Sequence, residues 1–150
     1  MKRFAEFANS PHESKDLERL FTLIAINGAL HNGDAHWKNF GIVYDDVQGE
    51  ARLAPVYDLV TTSVYLPKDS TALTLNGTTK WASAIEARRL GATRIGATPA
   101  RVRKILEAIA AAIAEASGEF RELWARNSKS PGFDARLGAL GGHFFAAALV

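Results

Sequence analysis

The sequence predicts a mainly α-helical domain with a small β-hairpin, which is an α+β fold. Apolar residues recur at the spacing of a helix face towards both ends of the chain. Between these segments, two short runs rich in β-branched and aromatic residues flank a polar loop, as in a hairpin. With 150 residues, of which 47% are hydrophobic, the chain is long enough to bury one core. We therefore expect a single folded domain.

The first helix is predicted to begin at Ser14, a candidate N-cap, and to end near Leu30. The apolar residues on one face of this helix are Leu17, Leu20, Phe21, Ile24 and Gly28. Residues 31–36 have no periodicity and favour tight turns, so they predict a loop. Trp37 and Phe40 follow the loop, and we expect both to anchor it in the core.

Two strands are predicted next, over residues 40–44 and 51–56, and the polar run between them makes a hairpin. Pro55 closes the second strand because proline lacks the N–H group that a ladder needs. Residues 71–75 alternate in the manner of a half-buried strand, and Asn76-Gly77 predicts a turn after it. The middle of the chain is therefore expected to supply the β-structure.

Helices are predicted for the remainder of the chain. Residues 83–90 can form a short helix, and Thr98 with Pro99 marks the start of a longer one. The apolar stripe of that longer helix consists of Val102, Ile105, Leu106, Ile109 and Ile113. Gly118 is placed to terminate it.

Two more helices are expected after Gly118, over residues 120–126 and 135–149. Residues 1–13 precede the first predicted helix and are interpreted as an N-terminal extension. Residues 14–150 are interpreted as one folded lobe, since no repeat or low-complexity linker divides them.

The composition argues against several classes of partner. A net charge of only +2 does not indicate direct nucleic-acid binding. The absence of cysteine excludes disulfides and thiolate zinc sites, which suits a cytoplasmic protein. The start of the chain lacks the apolar run of a secretory signal, and the longest apolar run is far short of the roughly 20 residues that cross a bilayer. We therefore expect a soluble cytoplasmic protein with no membrane partner.

Asp34, Asn39 and Asp58 are the side chains that carry a chemical signal. Phosphoryl transfer needs a carboxylate to accept the proton of the attacking hydroxyl and hard oxygen ligands for Mg²⁺. The interval from Asp34 to Asn39 equals that of the D-x-x-x-x-N loop of protein kinases. Asp58 follows the predicted hairpin, at the position of the metal-binding aspartate of such kinases. Each residue alone could merely cap a turn. Their combination predicts that the three side chains converge around one cation-sized space.

The same segment resembles a known family. Residues 33–40 contain a D-x-H-x-K-N loop, and residues 55–58 form a P-x-Y-D motif. Together with residues 26–28, 73–77 and the later helices, they are similar to the HipA-like C-terminal domain. This family comprises serine/threonine kinases of bacterial toxin–antitoxin systems, which phosphorylate aminoacyl-tRNA synthetases and are restrained by a DNA-binding antitoxin.

The resemblance implies a protein-kinase-like C-terminal lobe over residues 14–150 and a role for each motif residue. Asp34 would be the catalytic base, while Asn39 and Asp58 would bind Mg²⁺ and, through it, the ATP phosphates. His36 and Lys38 would be catalytic-loop residues that shape the site or meet phosphate. ATP and Mg²⁺ would be the cofactors.

The sequence departs from a complete kinase before Asp34. A kinase needs a glycine-rich loop and a strand lysine over the phosphates, and neither precedes Asp34 in this chain. We therefore expect weak or no nucleotide affinity and no kinase activity from this chain alone. The expected partners are the missing N-terminal kinase half or an antitoxin, with an aminoacyl-tRNA synthetase as a candidate substrate.

Two alternative functions remain open at the level of sequence. The chain could be a non-catalytic remnant of a kinase lobe that acts as a protein-interaction module. Alternatively, His31, Asp34 and His36 could hold Zn²⁺ and activate water, as in a metal-dependent hydrolase.

Overall fold

The computed structural model describes residues 13–47, 49–75 and 77–127. This part of the chain is mainly helical with one small antiparallel sheet, which confirms the predicted α+β class. Its elements are helices α1 (Glu13–Ala29), α2 (Ala84–Arg94) and α3 (Pro99–Asn127), and strands β1 (Ile42–Tyr44) and β2 (Ala51–Leu53). None of these helices is both long and apolar enough to cross a lipid bilayer.

Helix α1 lies within one residue of its predicted bounds, although Ser14 is inside the helix and is not its N-cap, and more than one of its faces is covered. Phe21 is fully buried, and it packs with Ala25 and Ala29 in the core that α1 shares with α3. Leu20 and Ile24, which lie on the predicted stripe, are half-buried and line a cavity. The helix is therefore in contact with the core on one side and with the cavity on another.

Helix α2 begins with a capping box. The Ser83 hydroxyl accepts a hydrogen bond from the Glu86 backbone N–H, and the Glu86 carboxylate accepts one from the Ser83 N–H at 2.8 Å. The helix extends beyond the predicted residues, to Arg94. Gly91 allows α2 to lie close to α3, since a Cβ atom there would be 2.7 Å from Cγ2 of Val102.

Helix α3 begins at Pro99 as predicted, and its apolar stripe is buried from Val102 to Ile109. The prediction that Gly118 ends this helix is wrong, because α3 continues to Asn127 and includes the helix predicted over residues 120–126. One glycine costs a helix only about 1 kcal/mol relative to alanine, and no proline follows it within α3. The helix predicted over residues 135–149 lies outside the described residues.

Strands β1 and β2 form the predicted hairpin, with each strand three residues long. Ile42 pairs with Leu53, and Tyr44 pairs with Ala51. The backbone N–H of Ala54 also donates to Gly41 at 2.9 Å, which extends the pairing by one bond towards the chain segment that contains Asp58.

The strand predicted over residues 71–75 is wrong. This segment forms an isolated bridge between Leu75 and Thr78, and Gly77 adopts a positive φ of 79° at the predicted turn. Alternating polarity does not require a sheet, because residues 71–75 line the wall of the cavity.

Asp16 connects α1 to the hairpin. Its carboxylate is fully buried and accepts hydrogen bonds from the backbone N–H of Leu53 at 3.0 Å and from Arg52 and Arg19 at 3.1 Å. Burial raises the pKa of Asp16, but the hydrogen bonds from Leu53, Arg52 and Arg19 outweigh it and hold the pKa below its ordinary value. The helix and the strand are thus held together by one ionised side chain.

We expect Asp16→Asn to lower the free energy of unfolding by about 2 to 4 kcal/mol at neutral pH, because the buried donors lose an ionised acceptor. A lowered pKa in the folded state stabilises the protein above the ordinary aspartate pKa, and this contribution is lost as the pH falls through the folded-state pKa. The difference from wild type should therefore shrink below about pH 4. Urea unfolding followed by circular dichroism at several pH values measures it.

Asp45→Asn is the matched control, since Asp45 is an exposed carboxylate in the hairpin loop. This variant should unfold like wild type at each pH. Equal behaviour of the Asp16 and Asp45 variants would contradict the role given to Asp16.

Candidate active site

Asn39 and Asp58 are in direct contact. A single 3₁₀ turn, Trp37–Asn39, buries Asn39 to 6% exposure, and the hairpin brings the chain back to Asp58. The side-chain amide of Asn39 donates a hydrogen bond to Oδ2 of Asp58. Oδ1 of Asn39 is buried and has no hydrogen-bond partner among the described residues. Buried polar atoms are nearly always satisfied, so this oxygen calls for a partner that the described residues do not supply, such as water or a ligand.

The pair fits a hard cation. A 180° rotation of the Asn39 amide about its last side-chain bond exchanges its nitrogen and oxygen, which turns Oδ1 towards the Asp58 carboxylate. A carboxylate and an amide oxygen are ligands that Mg²⁺ accepts, usually together with water and phosphate oxygens. Asn39 and Asp58 would therefore hold Mg²⁺ between them.

The backbone at Asp58 has an uncommon conformation, with a φ of 57°. Left-handed conformations are rare outside glycine, and such residues concentrate at functional sites. The carbonyl oxygen of Asp58 accepts a hydrogen bond from the side chain of Asn32 at 3.2 Å. The preceding Tyr57 hydroxyl donates to the carbonyl of Lys38, so the two loops are joined at a second point.

Asp34 lies at the surface, and its carboxylate contacts His36. Oδ1 of Asp34 is 2.9 Å from Nε2 of His36, and about half of each side chain is exposed. The structure thus brings Asn39 and Asp58 into contact, whereas the Asp34 carboxylate contacts His36. An exposed carboxylate that is oriented by an imidazole is accessible to a hydroxyl of another molecule.

The side chains of the 3₁₀ turn point in different directions. Trp37 is 70% exposed, so the prediction that it anchors the loop in the core is wrong. With three residues per turn, the three side chains diverge, and Asn39 occupies the buried position. Lys38 is exposed, which leaves its ammonium accessible, and Phe40 is half-buried beside the cavity.

The zinc site of the hydrolase alternative is not found among the residues that the structure describes. No group of three or more His, Cys, Asp or Glu side chains among them is arranged to hold a metal ion. His31 instead stacks on Trp81, with ring centroids 4.6 Å apart and an interplanar angle of 15°. The hydrolase alternative therefore has no supporting geometry in this part of the chain.

Thr62 and Asp69 hold the loop of residues 31–36 from the other side, and sequence reasoning missed both. The Thr62 hydroxyl accepts a hydrogen bond from the Gly33 N–H at 2.8 Å and donates to the Asp69 carboxylate. The backbone N–H of Thr62 donates to the His31 carbonyl at 3.3 Å. Only Gly33 carried a signal in the sequence, as a glycine beside the predicted base, while Thr62 and Asp69 look like ordinary turn residues.

A cavity of about 730 Å³ lies between α1, the hairpin and residues 71–75. Its lining is mostly apolar and includes Asn32 and Ala35 from the loop of residues 31–36 and Trp37 from the 3₁₀ turn. Asn39 and Asp58 do not line it. The cavity is therefore distinct from the candidate cation site, although the loop contributes to both.

Comparisons with known proteins give a family match and a relative. A model of the HipA-like C-terminal domain family matches residues 1–117. A protein from Sinorhizobium fredii (strain NBRC 101917 / NGR234), named "Putative kinase Y4mE", is 43% identical over 56 residues. These residues are 37% of this chain and 13% of that relative, so the chain spans a small part of its length.

We expect Gly33→Ala to destabilise the protein by about 1 to 3 kcal/mol, because the new Cβ atom would be 2.0 Å from Oδ2 of Asp69 and would push it away from Thr62. The same change should cost less in an Asp69→Ala background, where the obstructing carboxylate is gone. Chemical unfolding of the two single variants and the double variant measures this coupling.

Gly28→Ala is the control with the opposite expected sign. A Cβ atom at Gly28 meets nothing within 4 Å, and Gly28 lies inside α1. Alanine there should stabilise the protein by about 0.5 to 1 kcal/mol through helix propensity. Equal costs of Gly33→Ala with and without Asp69 would contradict the proposed steric conflict.

Proposed function

The chain belongs to the HipA-like C-terminal domain family, and on that premise we propose that it carries the catalytic base and the Mg²⁺ ligands of a serine/threonine protein kinase. The observation that carries this proposal is the contact of Asn39 with Asp58 beside a buried amide oxygen that lacks a partner. These two groups lie at the two motif positions expected of metal ligands. The reaction is transfer of the γ-phosphoryl group of ATP to a Ser or Thr hydroxyl.

Each site residue has a chemical role in this proposal. Mg²⁺, when bound, would neutralise charge on the phosphates, and Oδ1 of Asn39 and the Asp58 carboxylate would hold it. The Asp34 carboxylate accepts the proton of the attacking hydroxyl as the oxygen–phosphorus bond forms. A phosphorylated hydroxyl and ADP are the products, and the proton remains on Asp34 until it is released to water.

His36 and Lys38 assist these groups. The contact of His36 with Asp34 at 2.9 Å orients the carboxylate and leaves its other oxygen available to the hydroxyl. Lys38 is exposed on the same 3₁₀ turn as Asn39, where its ammonium can meet a phosphate oxygen. Phosphoryl transfer depends mainly on such positioning and charge neutralisation.

The complete reaction needs groups that grip ATP, which we assign to an N-terminal kinase half. The resemblance to HipA-like proteins supports this half, or an antitoxin, as the partner, and an aminoacyl-tRNA synthetase as a candidate substrate. The proposed substrate and ATP are both cytoplasmic molecules, so we propose the cytoplasm as the place of this activity. The matched relative, which is named as a kinase, supports phosphoryl transfer as the reaction class.

A second candidate function is a non-catalytic interaction module. The segment around Asp58 exposes large apolar side chains, which favour contact with another protein: Val56, Val60, Tyr65 and Leu66 are 57%, 44%, 76% and 59% exposed. Calorimetric titration of the isolated chain with ATP and Mg²⁺ separates the two functions. Micromolar affinity would exclude the remnant, while capture of an N-terminal half that still gives no phosphoryl transfer from ATP would favour it.

We expect Asp34→Asn to lower phosphorylation by at least about 100-fold, because the amide cannot accept the hydroxyl proton. The assay adds a family N-terminal half in trans and measures the transfer of radiolabelled phosphate from ATP. Asn39→Ala and Asp58→Asn should instead raise the Mg²⁺ concentration that half-maximal activity requires. Activity of the Asp34→Asn protein at the wild-type level would refute the role of Asp34.

Asp45→Asn serves as the matched carboxylate control, since Asp45 is exposed in the hairpin loop. It should keep the wild-type rate and the wild-type Mg²⁺ requirement. A loss equal to that of Asp34→Asn would indicate a general effect of charge.

A further inference from the structure

Asn32 is a buried amide at the junction of three segments. The residue is 2% exposed, and its side-chain nitrogen donates to Oδ1 of Asn27 at 2.7 Å and to the carbonyl of Asp58 at 3.2 Å. Its side-chain oxygen accepts a hydrogen bond from the backbone N–H of Asp34 at 3.1 Å. Both donor hydrogens and the acceptor of this amide are therefore engaged.

Helix α1 contributes to the orientation of this amide. Asn27 lies in the last turns of the helix, and its own side-chain nitrogen donates to the Leu23 carbonyl at 2.8 Å. That bond leaves Oδ1 of Asn27 as an acceptor, which requires the nitrogen of Asn32 to face it. The oxygen of Asn32 then necessarily faces Asp34. The helix thus favours the orientation in which Asn32 meets Asp58 and Asp34, and the Asp58 carbonyl and the Asp34 N–H favour the same orientation.

Asp58 needs such a contact because its backbone conformation is costly. A non-glycine residue in a sparsely populated region is strained and persists where its surroundings hold it. With a φ of 57°, the carbonyl of Asp58 points at the Asn32 amide. If that hydrogen bond is lost, Asp58 is free to return to an extended conformation, which would swing its carboxylate away from Asn39.

We propose that Asn32 is a positioning residue for both Asp58 and Asp34. Its side-chain nitrogen fixes the backbone at Asp58, and its side-chain oxygen fixes the backbone at Asp34. The meaning of this role for catalysis rests on the proposed kinase function, whereas the backbone geometry does not. Asn32 touches neither metal nor substrate and acts through the two residues that it holds.

The test compares Asn32→Ala with Asn27→Ala by nuclear magnetic resonance. Both changes remove a buried amide from the same network, but only Asn32 bonds Asp58. Couplings and carbon shifts report the φ of Asp58, and broadening by Mn²⁺, a paramagnetic substitute for Mg²⁺, reports the cation site. Wild type should show a positive φ at Asp58 and broadening of the Asn39 and Asp58 amide signals.

Asn32→Ala should abolish the positive φ and raise the Mn²⁺ concentration for half-broadening by roughly 10-fold to 100-fold, the usual effect of losing a residue that supports metal ligands. Asn27→Ala removes only one of the three groups that orient Asn32 and leaves its bonds to Asp58 and Asp34, so it should keep the positive φ and change the Mn²⁺ midpoint less. An unchanged φ and midpoint in Asn32→Ala, or equal effects of the two variants, would overturn the proposal.

A measurement on the wild-type chain decides the question if Asn32→Ala does not fold. The Asn32 amide protons should show a nuclear Overhauser contact to the α-proton of Leu59, which lies beside the Asp58 carbonyl across a trans peptide bond. The absence of this contact would refute the positioning role. If wild type shows no Mn²⁺ broadening at Asn39 and Asp58, the kinase proposal fails, and the φ of Asp58 still decides the role of Asn32.

Discussion

The buried carboxylate of Asp16 is the interaction on which the rest of the fold depends. It is placed at the start of α1 and receives the backbone N–H of Leu53, which is the last residue of β2. The chain runs from β2 through Pro55 directly to Asp58, so a shift of β2 against the helix would move a candidate Mg²⁺ ligand. A buried charge of this kind is held by directed hydrogen bonds, and these leave little freedom in the relative position of the two elements.

The candidate site consists of two loops joined side to side. Asn39 contacts Asp58, and the Tyr57 hydroxyl contacts the Lys38 carbonyl. Asn32 contacts the Asp58 carbonyl, so three hydrogen bonds join the two loops. Catalytic geometry tolerates displacements of only about half an ångström, which loops alone rarely maintain. Here the network transfers the rigidity of α1 to the loops. The exposed Asp34 and His36 are left accessible to a substrate at the rim.

How far the sequence predicted this structure depended on the kind of interaction. Helix periodicity located α1 and the stripe of α3, because one face of each helix packs in a core. Gly118 was misread because a single glycine is a weak stop signal when residues on both sides favour helix. Trp37 was misplaced because hydrophobicity says nothing about which side of a single 3₁₀ turn faces inwards.

The site was predictable only in part. The intervals predicted that Asp34, Asn39 and Asp58 converge, and the structure places Asn39 against Asp58 while Asp34 contacts His36. Spacing within loops and a hairpin is encoded locally, which is why part of this arrangement could be predicted. The contacts of Thr62, Asp69 and Asn32 join residues that are distant in sequence and ordinary in type, so no local pattern distinguishes them. Such contacts appear only when the chain is folded in three dimensions.

The dependence of α1 on β2 also has a consequence for synthesis. Leu53 follows Asp16 by 37 residues, so at translation rates of roughly 5–20 residues per second about 2 to 7 s separate their addition to the chain. During that interval the Asp16 carboxylate has Arg19 beside it, but its partners Arg52 and Leu53 do not yet exist. Emergence of the hairpin from the ribosome is therefore the event that allows this helix to dock on β2, and the contact of Asn39 with Asp58 forms after it.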